Sequence, residues 1–196
     1  MGRPTKENSL TRQDVIEAAI ACIEKEGASA LGVNRVAKEL GIKPPAIYKH
    51  LNGNAELHKA VALTIYKRFF AELNQKTADI REPRNLLKVG GYAIRNFARS
   101  HPGLYRVMMQ FKLELDDPES VLLIQESQNF FKAFLNSYDL SQTQLIDIMR
   151  MVNATFVGFI ALEESGLLTL PRSTDDSFEV MLEALFVGVE YIRKDR

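Results

Sequence analysis

Apolar residues recur along this chain at spacings of three and four, and no stretch alternates with the period of two expected of a half-buried strand. Ile16, Ala19, Ile20 and Ile23 share one helical face. Thr11 stands before them as an N-cap, with Asp14 three positions on as its capping-box partner, and Gly27 ends the helix. A second short helix is predicted over residues 33–40, with Val36, Ala37 and Leu40 inward and Gly41 as its left-handed stop. A third opens at Pro44, where a missing N–H is harmless in the first turn, and turns Ile47 and Leu51 inward. After Asn52-Gly53-Asn54 a long helix runs to about Lys76 on the stripe Leu57, Val61, Ile65, Phe69, Leu73. Pro83, Pro102 and Pro118 open the fifth, sixth and seventh helices. Ser141 and Gln144 form a capping box for an apolar eighth that ends at Gly166, and Ser173 or Thr174 caps a ninth. The pattern predicts an all-α chain of about nine helices.

Composition adds limits. The chain has 196 residues, 46% of them hydrophobic and 26% charged, which suits a soluble protein with a real core. No unbroken apolar run approaches the roughly 18–20 residues of a membrane span, and the N-terminus is polar, so a cytoplasmic protein with no membrane partner is expected. The single cysteine, Cys22, excludes an intrachain disulfide and reads as a small buried hydrophobe. Net charge is zero, but its distribution is uneven. Residues 1–60 carry nine bases against seven acids, and residues 41–59 hold three lysines, His50, His58 and one acid.

Residues 37–51 combine a short helix, a glycine turn and a proline-opened second helix. That is the grammar of a helix-turn-helix, whose second helix lies in the DNA major groove. Enzymatic chemistry finds no support. His50, His58 and His101 lack metal-ligand spacing, and no phosphate loop or nucleophile motif occurs, so neither a metal nor another cofactor is expected. The acid pairs Asp116-Asp117, Glu163-Glu164 and Asp175-Asp176 read as helix-end or solvated charges.

Several positions carry a specific likeness: Thr11-Arg12, Ala18-Ala19, Gly27, Val36-Ala37, Gly41-Ile42, Ile47-Tyr48, His50-Leu51 and Glu56-Leu57. On these the chain resembles the TetR family of bacterial transcriptional regulators. The resemblance implies a DNA-binding domain over residues 1–57, with the helix-turn-helix at about 32–51, and a helical ligand-binding and dimerisation domain over 58–196. It implies a DNA face of Arg3, Lys6, Thr11, Arg35, Lys43, Pro44, Pro45, Ala46, Tyr48, Lys49, His50 and Asn54. Within that face Tyr48 and His50 would contact phosphate, and Ala46 is small enough to approach a thymine methyl. Arg3 and Lys6 form a basic arm suited to the minor groove or to phosphate. Three positions depart from the family pattern. Gly32 and Lys43 stand where Ser or Thr caps are usual, and Asn54 replaces a usual lysine.

The C-terminal part resembles one family subgroup at residues 101–106 and 158–167, although Val157 takes the subgroup's histidine position and the chain has no tryptophan. The resemblance implies a homodimer built on the last two helices, with Phe159, Leu162, Phe178, Leu182, Leu185, Phe186, Gly188 and Val189 as interface residues and Gly158 and Gly188 easing close approach. Aromatic and methionine residues predict a pocket for a small apolar ligand: Tyr92, Phe97, Tyr105, Met108, Met109, Phe130, Phe134, Met149 and Phe156, with Asn153 and Arg150 as polar anchors. The expected function is a dimeric repressor of a palindromic operator in double-stranded DNA, released by that ligand. The alternative is a DNA-binding regulator whose helical domain binds a protein partner.

Overall fold

A computed structural model describes residues 10–136 and 138–194. The expected arm residues Arg3 and Lys6 lie outside the described residues. Within them the chain is all α-helix, with no strand. The elements are α1 (Arg12–Glu26), a 3-10 turn (Ala28–Ala30), α2 (Val33–Glu39), α3 (Pro44–Ile47), α4 (Asn54–Thr77), α5 (Pro83–Ser100), α6 (Pro102–Gln110), α7 (Pro118–Leu135), α8 (Gln142–Glu164) and α9 (Thr174–Lys194). Both predicted capping boxes are present, Thr11 with Asp14 on α1 and Ser141 with Gln144 on α8. Ser173 Oγ accepts the backbone N–H groups of Asp175 and Asp176 and so caps α9.

The chain divides into two compact units. The first takes the chain through Arg68 together with His101–Ser120. Its core is the predicted one: Ile16, Ile23, Val36, Ile47, Leu51, Leu57 and Ile65 are buried. Cys22 is buried among them, and that burial pushes its thiol pKa up. α6 belongs to this unit and packs on α1. Gly103 makes that approach possible, because a Cβ there would stand 2.9 Å from both the Ile23 carbonyl oxygen and its Cγ2. Lys59 Nζ donates to Asp117 at 2.5 Å, and Ser120 donates to the same carboxylate through its N–H and hydroxyl, which holds Asp117 down to about 2.

The second unit holds Phe69–Ser100 and the chain from Val121 onward. α5, α8 and α9 pack on one another around Phe134, Ile148, Val152, Phe156, Phe178, Leu182 and Val189. Gly91 allows this contact, since a Cβ would lie 2.9 Å from Leu182 and Phe156 side-chain carbons. Its most unusual member is Arg95, which is fully buried. The guanidinium stacks 4.4 Å from the Phe178 ring centroid. It donates to Glu163 at 2.9 and 2.6 Å, to Thr174 Oγ1 at 3.3 Å and pairs with Asp175 at 2.9 Å. Arg99 joins the same carboxylates. Glu163 is therefore not the solvated charge that its acid pair suggests. It is 14% exposed, and Arg95 holds its carboxyl down to about 2.

α8 differs from expectation in another respect. It contains an 18-residue window of mean hydropathy 1.7, of which 22% is buried, so by length and composition it is apolar enough to cross a membrane. Asp147 and Arg150 interrupt it, and a search for unbroken runs passes over it.

The Arg95–Glu163 pair gives a prediction of stability against pH. A folded-state pKa below the unfolded one stabilises above the unfolded value, and the gain is lost as pH falls from about 4.5 toward 2. Screening at the open edge leaves a contribution of about 1–2 kcal/mol. Glu163→Gln should flatten the thermal-melting profile in that pH window. It should also destabilise the protein by about 3 kcal/mol at neutral pH, because a buried guanidinium loses its main counter-charge.

Candidate nucleic-acid interface

The helix-turn-helix is assembled from short pieces that borrow their end groups from elsewhere. α2 begins after Gly32, whose backbone is extended and has no side chain to cap with. The missing acceptor comes from across the fold, where Asn54 Oδ1 accepts the Val33 N–H at 2.9 Å. Two departures from the family pattern thus compensate each other. At the other end Gly41 adopts φ +66°, Ile42 N–H donates to the Ala37 carbonyl at 3.0 Å, and Gly41 N–H donates to Lys38 at 3.2 Å. These are the paired bonds of a Schellman stop, and the positive φ explains the glycine.

α3 has only four helical residues, and Lys43 provides no side-chain cap. The helix expected to continue to Leu51 instead passes into turns, with His50 and Leu51 N–H groups both donating to the Ile47 carbonyl, at 2.8 and 3.1 Å. Ile47 and Leu51 are buried and anchor the segment. Beyond them the Asn52 N–H donates to Glu56 Oε2 at 2.7 Å, and Arg12 stands 3.7 Å from the same carboxylate. The motif residue Glu56 is a brace for the turn that ends the recognition segment. His58 Nε2 lies 3.1 Å from the Leu31 carbonyl oxygen and ties α4 to the start of the motif.

This scaffold leaves one set of side chains outward. Tyr48 is 52% exposed, Lys43, Pro45 and Lys49 are exposed, and Pro44, Ala46 and His50 are half-buried on the same short segment. Two other expected DNA residues are placed differently. Arg35 is held by Glu26 at 2.5 and 2.9 Å and by Glu39 at 2.6 Å, so its charge is neutralised within the fold. Thr11 is exposed, but its hydroxyl is occupied in the α1 cap, accepting from Asp14 N–H at 3.1 Å and donating to its carboxylate at 2.7 Å. Asn54 is exposed at the α4 start with its carbonyl oxygen engaged.

The residues expected to line a ligand pocket do not gather as one set. Tyr105, Met108 and Met109 lie on α6 in the first unit. Tyr92, Phe130, Phe134, Met149 and Phe156 belong to the packed core of the second. Phe97 meets Phe69 at 5.5 Å between ring centroids. Asn153 and Arg150 face solvent. The expected dimer residues divide as well. Phe178, Leu182, Leu185 and Val189 are buried in the chain's own core, and Phe159 and Phe186 are half-buried beside Phe178 and under Arg84. Leu162 alone among the expected apolar side chains is well exposed, at 44%. Gly158 faces open space, and Gly188 has ordinary contact with Met151. The outward apolar positions are others: Ala154, Val157 and Ala161 on α8, and Val180, Ala184, Val187 and Tyr191 on α9. Sequence periodicity finds both faces of these helices apolar and does not say which one the core takes.

The cross-fold cap is directly testable. Asn54→Ala should cost about 1 kcal/mol of stability. Adding Gly32→Ser should recover most of it in thermal or urea melts, because the extended backbone at position 32 accepts a serine cap and its Cβ meets nothing nearer than 4.0 Å. Failure of the serine to rescue would mean that Asn54 acts in another way.

Comparison with known proteins agrees with this geometry. Residues 15–61 match the model of the bacterial regulatory proteins of the tetR family, and residues 87–185 match that of the tetracyclin repressor-like C-terminal domain. An uncharacterized HTH-type transcriptional regulator of Mycobacterium tuberculosis is 30% identical over 97% of this chain and 85% of its own length. Among solved structures, a protein of unknown function from Rhodococcus sp. RHA1 superposes with a TM-score of 0.77 at 19% identity, over 95% of this chain and 98% of that one. A TetR variant from Acinetobacter baumannii AYE, solved in complex with minocycline, superposes with a TM-score of 0.68 at 21% identity, over 94% and 98%. The chain belongs to the TetR family of bacterial DNA-binding transcriptional regulators, with the family's N-terminal helix-turn-helix.

Proposed function

We propose that this regulator is a homodimeric repressor whose two recognition segments bind the half-sites of a palindromic operator and whose helical second unit answers to a small ligand. The observation that carries the DNA face is the division of one short segment. Ile47 and Leu51 are fully buried, while Lys43, Pro45, Tyr48 and Lys49 point outward from the same turns. Phosphate contacts fall to Lys43, Tyr48, Lys49 and His50, which position the protein, and Ala46 is the residue small enough to approach base edges. Arg35 drops out of the set, because two carboxylates already hold it.

The dimer is supported by the outward stripes of α8 and α9. Val180, Ala184, Val187 and Tyr191 repeat at spacings of four, three and four, and Val180, Val187 and Tyr191 are 58%, 62% and 67% exposed. Such a stripe on an otherwise capped, charged helix marks a surface that a second copy covers. Two-fold pairing would set the recognition segments roughly one DNA turn apart, about 34–36 Å. Ligand response is suggested by the Acinetobacter relative, which was solved with minocycline bound. A ligand acts by binding one subunit arrangement more tightly than the other.

Two measurements check this reading. In gel shifts with the DNA flanking its own gene, Tyr48→Phe should weaken binding about 5- to 30-fold, on related and unrelated duplexes alike, as loss of one hydroxyl–phosphate bond per subunit requires. A loss confined to one sequence would make Tyr48 a base reader. In sedimentation at micromolar concentration the wild type should be a dimer and Val187→Glu a folded monomer with little operator affinity. A wild-type monomer, or an intact Val187→Glu dimer, would contradict the α8–α9 interface.

A further inference from the structure

Within the second unit, the end of α4, the 78–82 connector and one face of α5 enclose a groove of about 650 Å³. Its apolar lining is Ile80, Val89 and Ala93, and Lys76, Arg81 and Lys88 are its cations, of which Lys76 is paired with Glu72 at 2.5 Å. Of its two acids, Glu82 is committed to the start of α5, accepting the N–H groups of Arg84 and Asn85 at 2.9 and 2.7 Å, and Asp79 is the other. Arg81 donates to the backbone carbonyls of Ala78 and Ile80, at 2.6 and 3.3 Å.

At the α9 edge of the groove, two of its polar side chains are held by an internal carboxylate. Lys88 Nζ and the Tyr92 hydroxyl, both lining residues, converge on the Glu179 carboxylate of α9, at 2.9 and 2.7 Å. An ammonium and a phenol aimed at one carboxylate form a complete anion clamp, and the chain fills it with its own side chain. Burial and then Glu179 push the Tyr92 pKa to about 12, so the phenol remains a donor throughout the physiological range. Glu179 is also the middle rung of a ladder between α5 and α9, with Arg84–Glu183 at 3.1 Å on one side and Arg95–Asp175 on the other.

We propose that this groove is the effector site and that it takes a small amphiphilic carboxylate. The ligand's head displaces Glu179 from Lys88 and Tyr92, and its chain lies along Val89 and Ala93. The inference rests on the ligand-responsive reading above and replaces the apolar ligand expected from the aromatic residues, which here are packed into the core. Displacing Glu179 opens the middle of the α5–α9 ladder and so reaches the helix proposed to carry the dimer contact. No bond is made or broken; the step is an exchange of one carboxylate for another.

The test is calorimetric titration of the full-length protein with octanoate and with octanamide at pH 7.5. Octanoate should bind saturably, and octanamide at least tenfold more weakly. Lys88→Met should weaken octanoate at least tenfold. Glu179→Gln should strengthen it severalfold, because the competing internal carboxylate is gone. Both sites lie on exposed ion pairs that add little to stability, and circular-dichroism melts verify folding. Equal affinity for acid and amide, no saturable octanoate binding, or unchanged affinity in Glu179→Gln would overturn the proposal. Operator gel shifts on the same samples separate the two readings. Octanoate binding that leaves operator affinity unchanged would keep a carboxylate site here but overturn its role as the effector site. Operator release by octanamide with no preference for octanoate keeps ligand release and removes the groove.

Discussion

A recognition segment with four helical residues cannot hold its own shape. Everything around residues 41–56 answers that constraint. The Schellman bonds at Gly41 fix how the chain leaves α2, the buried Ile47 and Leu51 fix which side faces outward, and Glu56 closes the far end on the Asn52 N–H. Asn54 serves the same purpose at a distance, since the N-terminus of α2 depends on its carbonyl oxygen. The face proposed for DNA is consequently set by the first unit's core, and the outward side chains themselves carry little of the packing.

The second unit solves a different problem. It buries a guanidinium, Arg95, within an aromatic core, and a buried charge is tolerable only when paired and hydrogen-bonded. Glu163 from the end of α8 and Asp175 from the start of α9 supply the counter-charge, while the buried Arg95 Nη1 has no hydrogen-bond partner. The demand of one residue thereby fixes where two helices end and begin relative to α5. Nearer the start of α5, α9 alone continues the contact as an exposed ladder, Lys88–Glu179 and Arg84–Glu183, whose pairs add little to stability.

Much of this was legible in the sequence. Caps at Thr11 and Ser141, prolines at helix starts and the buried stripe of α4 are local signals, and each local signal matched its element. What escaped the sequence is non-local. Asn54 read only as a DNA-face residue in place of a usual lysine, because the Val33 N–H it caps lies 21 residues away. Glu163 looked solvated because Arg95 is 68 positions distant. Phe178, Leu182, Leu185 and Val189 looked like interface residues because α9 is apolar on more than one face, and periodicity identifies faces without assigning their occupants. Arg35 was expected at DNA from its position, and its pairing with Glu26 and Glu39, nine and four positions away, is not visible in the motif.

In the proposed function, two copies of this chain read a symmetric duplex with the short segment after Gly41. Selection of bound duplexes from a random pool, at physiological salt, tests it most directly. The account predicts enrichment of an inverted repeat with half-site centres about one helical turn apart, with enrichment lost in Val187→Glu. Recovery of sequences with a single half-site, or no enrichment over the starting pool, would contradict it.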